Sequence, residues 1–571
     1  MNTMDKTSLS RRDLVGRMSM AAVAASLGSS IVSKTGSAAQ LSEARGGKAQ
    51  EPVAAHENAG VRTYNVRHHG AKGDGKTLDT AAFQAAIDAC TNDKGGTVLV
   101  PAGEFLIGSI ELKSNVTFHL AAAARLLGST NIDHYKKGVE DVPWGKYALI
   151  YAIDTANLSI EGKGTIDGQG AEFFSGAKDD GDQLPGRPRP QLTIFLRCKN
   201  LSIRDVALVN SGYWCTHFNQ CRHVYVDGVR IHNRVNFNND GLHFDDCEHV
   251  KVSNCNVVCE DDACALFGSN RDVTVTNCTF STRWSVFRFG GGASENITVS
   301  NCVIYNTFGC PIKMQVENGS RMENMLFSNL IMNNVTGPIY VGLGSVPRNS
   351  TQPNETRPGG VVRNIMFKGI RAIVAPVPDL KDYPYAVGSP IDGVYPGEYR
   401  TCIDLTAFDG QFIENITLSD IHITFAGGGS AKEAALRDVP QVSGAEYFGL
   451  GVLPAYGMYA RNVRGLTLNN VRFDLATPDL RPALVFDGSE DVSLNGFSAV
   501  GNSNAGSLLR FINTRDALLT ACRLLTPCAV FLQVEGVASD RITIAGCDLS
   551  RAASPVVLSR GTRKEAVGTR L

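Results

Sequence analysis

Seven carboxylates crowd into the segment between Asn238 and Gly268, with Asp261 and Asp262 side by side in the chain. They are Asp240, Asp245, Asp246, Glu248, Glu260, Asp261 and Asp262. Aspartates that lie close together repel, so one keeps its proton near neutral pH while another stays ionised. Such a group can supply a general acid and a general base. The structural alternative is that these aspartates cap turns or bind calcium.

An internal repeat predicts the elements that carry these carboxylates. Alternating polar and apolar residues followed by a turn recur, as in "EHVKVSNCNV", "RDVTVTNCTF" and "ENITVSNCVI". The first apolar residue of each copy falls at Leu201, Val224, Val250, Val273, Ile297, Met325, Ile365, Ile416, Leu466, Val492, Ala517 and Ile542. The first steps, by subtraction, are 23, 26, 23, 24 and 28 residues. A repeat of this length with β-branched residues predicts an all-β fold, a stacked β-solenoid.

Two further patterns fit such a solenoid. Asn254, Asn277 and Asn301 are each followed by cysteine. Asparagine tolerates the left-handed conformation of a sharp corner, so we expect an asparagine ladder beside a ladder of buried cysteines. The segment "LDTAAFQAAIDACTND" has apolar residues at helical spacing and is followed by two glycines. It predicts a short N-terminal helix that caps the open end of the stack.

The repeat places three carboxylates at one position on neighbouring rungs. Asp240 lies ten residues before Val250, whereas Asp262 lies eleven and Asp261 twelve residues before Val273. Because adjacent strands are about 4.8 Å apart, we expect these three carboxylates to meet. Three other acidic residues of the segment fall outside this position, and we expect them to be solvated turn residues: Asp245, Asp246 and Glu248.

Cations and an aromatic residue follow on the next rungs. The segment "RWSVFRFG" begins at Arg283, and Lys313 lies twelve residues before Met325. A cation beside carboxylates suits an acidic substrate, and the face of Trp284 suits a sugar ring. Glycoside hydrolysis uses one carboxylic acid to protonate the leaving oxygen and a second carboxylate to activate water or attack the sugar.

Four segments resemble family 28 of the glycoside hydrolases, the polygalacturonase family. They are "YNVRHHGAKGDGKTLDTAAFQAAIDAC", "GGTVLVPAGEFLIGSIELKSNVTFHL", "IEGKGTIDGQG" and "NNDGLHFDDC", and the likeness covers about Val61 to Gly344. The resemblance implies a right-handed single-stranded parallel β-helix, hydrolysis with inversion, no cofactor and no metal. It also implies an acidic, pectic polysaccharide as the substrate.

The resemblance carries roles onto particular residues. The family's Asn-x-Asp motif looks like Asn238-Asn239-Asp240, and its paired aspartates look like Asp261-Asp262. On this likeness Asp261 is the general acid, and Asp240 and Asp262 hold and activate the water.

The chain departs from the family pattern at two places near the site. Pro311 stands where the family's Arg-Ile-Lys motif has arginine, although Lys313 looks like its lysine and would bind a substrate carboxylate. The segment "STRWSVFRFGG" lacks the histidine of the family's Gly-His-Gly segment. We hypothesise that Trp284 and Arg288 replace the missing groups, with His243 as a second candidate. The full set of expected substrate contacts is Asn238, His243, Arg283, Trp284, Arg288 and Lys313.

The remainder of the chain suggests export and no further partner. Adjacent Arg11 and Arg12 precede an apolar stretch and a small-residue cleavage site near Ala39, which predicts a twin-arginine signal over 1–39. A linker over 40–60 and a β-helix over 61–571 follow, with long loop insertions around 345–360, 376–402 and 426–455. The formal net charge of −1 indicates no nucleic-acid partner, and no membrane span is visible. We expect a periplasmic or extracellular bacterial monomer whose 15 cysteines are mostly buried.

Two other functions remain open from the residues alone. A β-helix can bind glycans without cleaving them, and the missing histidine and arginine favour that interpretation. A polysaccharide lyase on the same scaffold would abstract a proton, often with Ca²⁺ neutralising the uronate.

Overall fold

The computed structural model describes residues 62–136, 147–173, 188–345, 359–379, 396–441 and 447–570. Within these residues the chain forms a right-handed parallel β-helix, which confirms the predicted fold class. The predicted signal over 1–39 and the predicted linker over 40–60 lie outside the described residues. No helix among the described residues is long and apolar enough to span a membrane.

Short strands build the first half of the solenoid. In chain order they are β1 Thr63–Asn65, β2 Asp74–Leu78, β3 Gly96–Val100, β4 Gly103–Ile107, β5 Ile110–Glu111, β6 Val116–Leu120, β7 Ala124–Gly128, β8 Ala148–Ile153, β9 Ala156–Gly162, β10 Thr165–Asp167, β11 Gln191–Leu196, β12 Lys199–Arg204, β13 Ala207–Val209, β14 Thr216–Asn219, β15 Arg222–Asp227, β16 Arg230–Asn233, β17 Leu242–Asp245, β18 Glu248–Ser253, β19 Asn256–Cys259, β20 Cys264–Phe267, β21 Arg271–Thr276, β22 Thr279–Ser281 and β23 Phe287–Gly290.

The strands of the second half vary from 2 to 15 residues in length. They are β24 Ala293–Thr307, β25 Ile312–Glu317, β26 Arg321–Val335, β27 Ile339–Ser345, β28 Val361–Val374, β29 Ile403–Ala407, β30 Ile413–Phe425, β31 Met458–Arg461, β32 Val463–Leu475, β33 Leu484–Asp487, β34 Glu490–Asn495, β35 Ser498–Ala499, β36 Leu509–Ile512, β37 Arg515–Thr520, β38 Arg523–Leu524, β39 Cys528–Glu535, β40 Asp540–Ala545, β41 Ala552–Ser559 and β42 Val567–Arg570.

Parallel ladders run along the solenoid. One sheet of 15 strands contains β14, β17, β20, β23 and β25, the strands next to the carboxylates. The other 27 strands form two ladders, which merge because the long strands β24 and β32 pair with strands of both.

Helical segments are few among the described residues. The α-helices are α1 Thr80–Asn92 and α2 Ala431–Ala434, and the 3-10 helices are Val66–His69, Ile132–His134, Gly170–Phe173, Pro396–Glu398, Tyr447–Leu450 and Lys564–Ala566. Helix α1 buries Phe83, Ala86, Ile87 and Cys90 and packs against β1 and β3 at the N-terminal end of the stack, as predicted.

The strand register confirms the predicted repeat residue by residue. Leu201 pairs with Val224, Val224 with Val250 and Val250 with Val273, and the alignment continues through every later landmark to Ile542. These side chains are buried. Full burial of a Val, Leu or Ile side chain stabilises the folded state by about 1.5–3 kcal/mol. A slip of one residue would move the whole set to the solvent face, so the register is strongly specified.

Asparagines occupy left-handed corners, as the sequence predicts. Asn254, Asn277 and Asn301 have φ angles of 56°, 56° and 55°. The cysteines that follow them are buried and carry no disulfide. On the long rungs the amide of Asn364 donates to Asn324 at 3.2 Å and accepts from Asn415 at 3.2 Å. Stacked amides therefore link successive rungs along a corner.

Replacing Asn364 tests the left-handed corner. Asn364 is exposed and has a φ of 58°. Both Asn364→Ala and Asn364→Gly remove the ladder amide, but only alanine is strained at this φ. We expect alanine to lower the free energy of unfolding by about 1 kcal/mol more than glycine, measured by guanidinium chloride denaturation. Equal effects of the two substitutions would show that the corner imposes no left-handed constraint.

Candidate active site

Successive turns bring the carboxylates to one corner of the solenoid. Asp240 lies in the turn before β17, and Asp261 and Asp262 lie in the turn before β20. Leu242 pairs with Cys264, so Asp240 and Asp262 occupy equivalent positions two residues earlier. The structure therefore brings together the three carboxylates that the repeat aligned.

Asn239 fastens the turn that carries Asp240. Its side-chain oxygen accepts hydrogen bonds from the backbone N–H groups of Val235 at 2.9 Å and Asn236 at 2.6 Å. Its amide nitrogen donates to the carbonyls of Ser211 at 3.0 Å and Tyr213 at 2.8 Å. The buried Asn239 side chain therefore links two rungs by hydrogen bonds, and it fixes the backbone next to Asp240.

Asp261 is the carboxyl of the three that is open to solvent. Asp240 and Asp262 are 3% and 9% exposed, whereas Asp261 is half-buried. The amide of Asn238 donates to Asp261 Oδ2 at 3.3 Å, and Arg189 donates to Asn238 Oδ1 at 3.0 Å. Asn238 therefore holds Asp261, and part of the Asp261 side chain stays accessible.

Electrostatics favour a protonated Asp261. Burial, followed by the charges of Asp240, Asp262 and Glu260, raises the pKa of Asp261 well above its usual value, and the Lys313 charge lowers it in part. Burial also raises the pKa of Glu260 to about 8. A half-buried acid that holds its proton at neutral pH is suited to protonate a leaving group.

His243 lies inside the site, not on its surface. Its Nδ1 is 2.8 Å from Asp240 Oδ2, and its ring stacks between Trp214 at 3.8 Å and Phe267 at 5.1 Å between centroids. The side chain is 3% exposed. Aromatic rings cover both faces of the imidazole, and a direct contact of His243 with a substrate stays a prediction.

Asp245 also differs from its prediction. It was expected to be a solvated turn residue, but it is the last residue of β17 and its side chain is only 17% exposed. Its carboxylate lies 2.8 Å from His217 Nε2 and 3.5 Å from His243 Nε2. Burial would raise the pKa of Asp245, but the charge of His243 and the hydrogen bonds from both histidines lower it strongly. Asp246 is exposed, as predicted.

His217, His243 and Asp245 have the residue types of a metal site. One ligand atom from each lies within 4.8 Å of the others. Hydrogen bonds account for this arrangement, because Asp245 is the shared acceptor of both imidazoles. We therefore interpret the three residues as a hydrogen-bonded cluster.

Lys313 and Arg288 lie in a strand column beside the carboxylates. Arg288 pairs with Lys313 in the register, and Ala265 and His243 precede them on the two earlier rungs. Lys313 is therefore three residues away from the carboxylate position to which the sequence assigned it. The count back from Met325 failed because the chain between Lys313 and that landmark is longer than on the earlier rungs.

The two cations differ in exposure. Lys313 is 2% exposed, and its ammonium lies 5.9 Å from the Trp284 ring centroid. Arg288 is half-buried, donates to Gln315 at 2.7 Å and lies over the ring of Phe267. Arg288 is thus the more accessible of the pair.

The Arg283 guanidinium packs against the Trp284 ring. Its guanidinium forms two hydrogen bonds with Glu398, at 3.0 and 3.3 Å, and lies 4.5 Å from the Trp284 ring centroid. Arg283 and Glu398 side chains are 2% and 0% exposed. A buried carboxylate therefore holds Arg283, and its contact with a substrate stays a prediction. Trp284 itself is half-buried.

Sequence reasoning missed several residues of the site. Trp214 and His217 lie 26 residues before Asp240 and His243, the same step that separates Val224 from Val250, so the repeat carried a signal for them. Two other missed residues had no such signal, because they come from a turn two rungs earlier and from a distant loop: Arg189 and Glu398.

Comparisons with known proteins identify the family of the chain. Residues 90–380 match the family model described as Glycosyl hydrolases family 28. The chain is 26% identical over 351 residues to Polygalacturonase-2 of Solanum lycopersicum, covering 59% of this chain and 74% of that protein. It is 27% identical over 354 residues to the exo-poly-alpha-D-galacturonosidase of Dickeya chrysanthemi, covering 51% and 58%.

Solved structures share the fold. The exopolygalacturonase of Thermotoga maritima superposes with a TM-score of 0.55 at 21% identity, covering 72% of this chain and 92% of that one. The family 28 exopolygalacturonase of Yersinia enterocolitica gives a TM-score of 0.55 at 19% identity, covering 76% and 78%.

The buried Arg283–Glu398 pair makes a stability prediction. Glu398→Gln leaves the Arg283 charge buried without a carboxylate, so we expect a loss of about 3 kcal/mol in the free energy of unfolding. The matched control is Asp516→Asn, which breaks the exposed pair with Arg541 and should cost less than about 1 kcal/mol. Chemical denaturation measures both, and equal costs would contradict the assignment of Glu398 as a buried counter-ion.

Proposed function

This chain belongs to family 28 of the glycosyl hydrolases, and from that premise we propose that it hydrolyses a pectic polysaccharide with inversion of the anomeric carbon. The names of its relatives in Solanum lycopersicum and Dickeya chrysanthemi point to polygalacturonate as the first substrate to test. The departures at Pro311 and Trp284 make rhamnogalacturonan or a substituted galacturonan equally suitable substrates.

The observation that carries the proposal is the unequal exposure of the clustered carboxyls. Asp261 is half-buried beside the buried Asp240 and Asp262, and its pKa is raised well above the ordinary range by burial and by its neighbours. In our proposal Asp261 donates its proton to the glycosidic oxygen as the bond from that oxygen to the anomeric carbon breaks.

The two other aspartates serve the attacking water. Asp240 and Asp262 hold a water molecule on the opposite face of the sugar, and one of them accepts its proton as the new bond to the anomeric carbon forms. Attack from the face opposite the leaving group inverts the configuration. No step requires a metal ion.

Accessible side chains around the carboxylates are assigned to the substrate. The ring of Trp284 offers an apolar surface to a sugar, and Arg288 offers a guanidinium to a uronate carboxylate. We retain Asn238 as a contact because it is half-buried and bonded to Asp261. Lys313 is more deeply buried, and its positive charge lies close enough to Asp261 to lower that pKa.

Location and assembly remain predictions. The paired Arg11 and Arg12 ahead of an apolar stretch support export through the twin-arginine route. An extracellular or periplasmic site suits an enzyme whose substrate is a polysaccharide too large to enter the cell. We expect the mature chain to act as a monomer.

Asp261→Asn should abolish hydrolysis with little effect on folding. We expect the release of new reducing ends from polygalacturonate or rhamnogalacturonan to fall about 10²–10⁴-fold, the usual contribution of a general acid. The control is Asp246→Asn, because Asp246 lies nearby in sequence but is exposed and accepts a hydrogen bond from Ser269 that asparagine can keep. Its activity should equal that of the wild type.

The same assay separates the alternatives. Products that absorb as unsaturated uronates, with sensitivity to chelators, would indicate a lyase. Binding of the glycans without any product from the wild type would indicate a non-catalytic glycan-binding protein. Either result would contradict the proposed hydrolysis.

A further inference from the structure

A path of two hydrogen bonds and one longer ion-pair contact leads from the protein interior to Asp240. His217 Nε2 lies 2.8 Å from Asp245 Oδ2, Asp245 Oδ1 lies 3.5 Å from His243 Nε2, and His243 Nδ1 lies 2.8 Å from Asp240 Oδ2. The four residues alternate histidine and aspartate. We name this path the histidine relay.

Strand geometry builds the relay. Residues 243 and 245 alternate along β17 and therefore share a face of the sheet. His217 on the neighbouring strand β14 pairs with His243 in the register, which places the two imidazoles side by side with ring centroids 5.1 Å apart. Asp240 precedes β17 by two residues, close enough for His243 to reach back to it.

Among the residues that the structure describes, the hydrogen-bond and ion-pair partners of His243 are the two aspartates. Trp214 covers one face of the imidazole, with ring planes inclined by 14°, and Phe267 covers the other, inclined by 6°. The next strand presents Ala265 at the paired position, which carries no charge. The titratable groups that face His243 among the described residues are therefore Asp240, Asp245 and His217, with Asp262 acting on it through Asp240.

We propose that His243 is the positioning residue for Asp240, holding Asp240 Oδ2 so that the other oxygen is free to orient the attacking water. Asp245 holds His243 in turn, and His217 holds Asp245. This role rests on the proposed hydrolysis, in which Asp240 serves the water.

The charges of the relay residues also change the pKa of His243 and of Asp240. Burial would lower the pKa of His243, but Asp245 and Asp240 outweigh burial and raise it to about 10. Burial raises the pKa of Asp240 to about 7, against the opposing hydrogen bond and charge of His243. The imidazolium therefore keeps Asp240 ionised at a lower pH than burial alone would allow, while Asp261 nearby keeps its proton.

Two substitutions test the relay through the pH profile. His243→Gln keeps a neutral hydrogen-bond donor but removes the charge, and Asp245→Asn removes the carboxylate that charges His243. His243→Gln should raise the pKa of Asp240, and Asp245→Asn should raise it less, because the loss of the Asp245 charge by itself lowers that pKa. Because Asp240 must be ionised to work, activity at the acidic limb should be lost at a higher pH than in the wild type. We expect kcat at the optimum to fall about 10- to 100-fold, with KM changed less than about twofold.

The matched control is Asp246→Asn, which should leave the pH profile unchanged. A merely structural role would lower the melting temperature of His243→Gln and Asp245→Asn without moving the acidic limb. Unchanged limbs in both variants would overturn the proposal. Loss of wild-type activity in chelator, restored by Zn²⁺, would also overturn it, because His217, His243 and Asp245 would then be metal ligands.

Nitrogen-15 NMR of the histidine side chains separates the relay from the proposed function. In the wild type, His243 should keep the imidazolium signature at pH 8, and Asp245→Asn should lower the pH at which that signature is lost, with Asp240 still supporting the charge. A neutral His243 at pH 7 in an active wild type would overturn the relay alone. A wild type that cleaves no pectic substrate would contradict the proposed function whatever the spectrum shows.

Discussion

The hydrogen bonds between successive rungs fix the positions of the clustered carboxylates. Parallel pairing in the 15-stranded sheet aligns Leu242 with Cys264, and this single alignment brings Asp240 beside Asp262. A slip of one residue would turn the carboxylates away from each other and expose the apolar residues of the core. The same register that stabilises the solenoid therefore assembles the carboxyl cluster.

Gathering carboxylates in a buried corner opposes folding, and neighbouring groups offset that cost. Like charges and burial raise the free energy of the ionised forms. Asn239 ties the turn to the rung before it, Lys313 supplies a positive charge near Asp261, and His243 places another beside Asp240. Protonation of Asp261 removes one negative charge from the cluster. The arrangement that lowers the electrostatic cost of the cluster therefore also supplies an acid.

Sequence patterns predicted the repeat, the asparagine corners and the meeting of Asp240 with Asp262, because these follow from spacing along the chain. They did not place Lys313, since the longer chain before its landmark shifted the count. They assigned Asp245 to solvent because nothing local shows that it ends a strand between two histidines. Glu398 could not be found, because a loop more than a hundred residues away brings it to Arg283.

The configuration of the first product tests the central claim most directly. Proton NMR during cleavage of polygalacturonate or rhamnogalacturonan by the mature protein records the anomeric signal before mutarotation. If Asp261 protonates the leaving oxygen while Asp240 and Asp262 direct water to the opposite face, the new reducing end has the configuration opposite to the linkage cleaved. A first product that retains the configuration would show that a carboxylate attacks the sugar, and would contradict the roles assigned to Asp240 and Asp262.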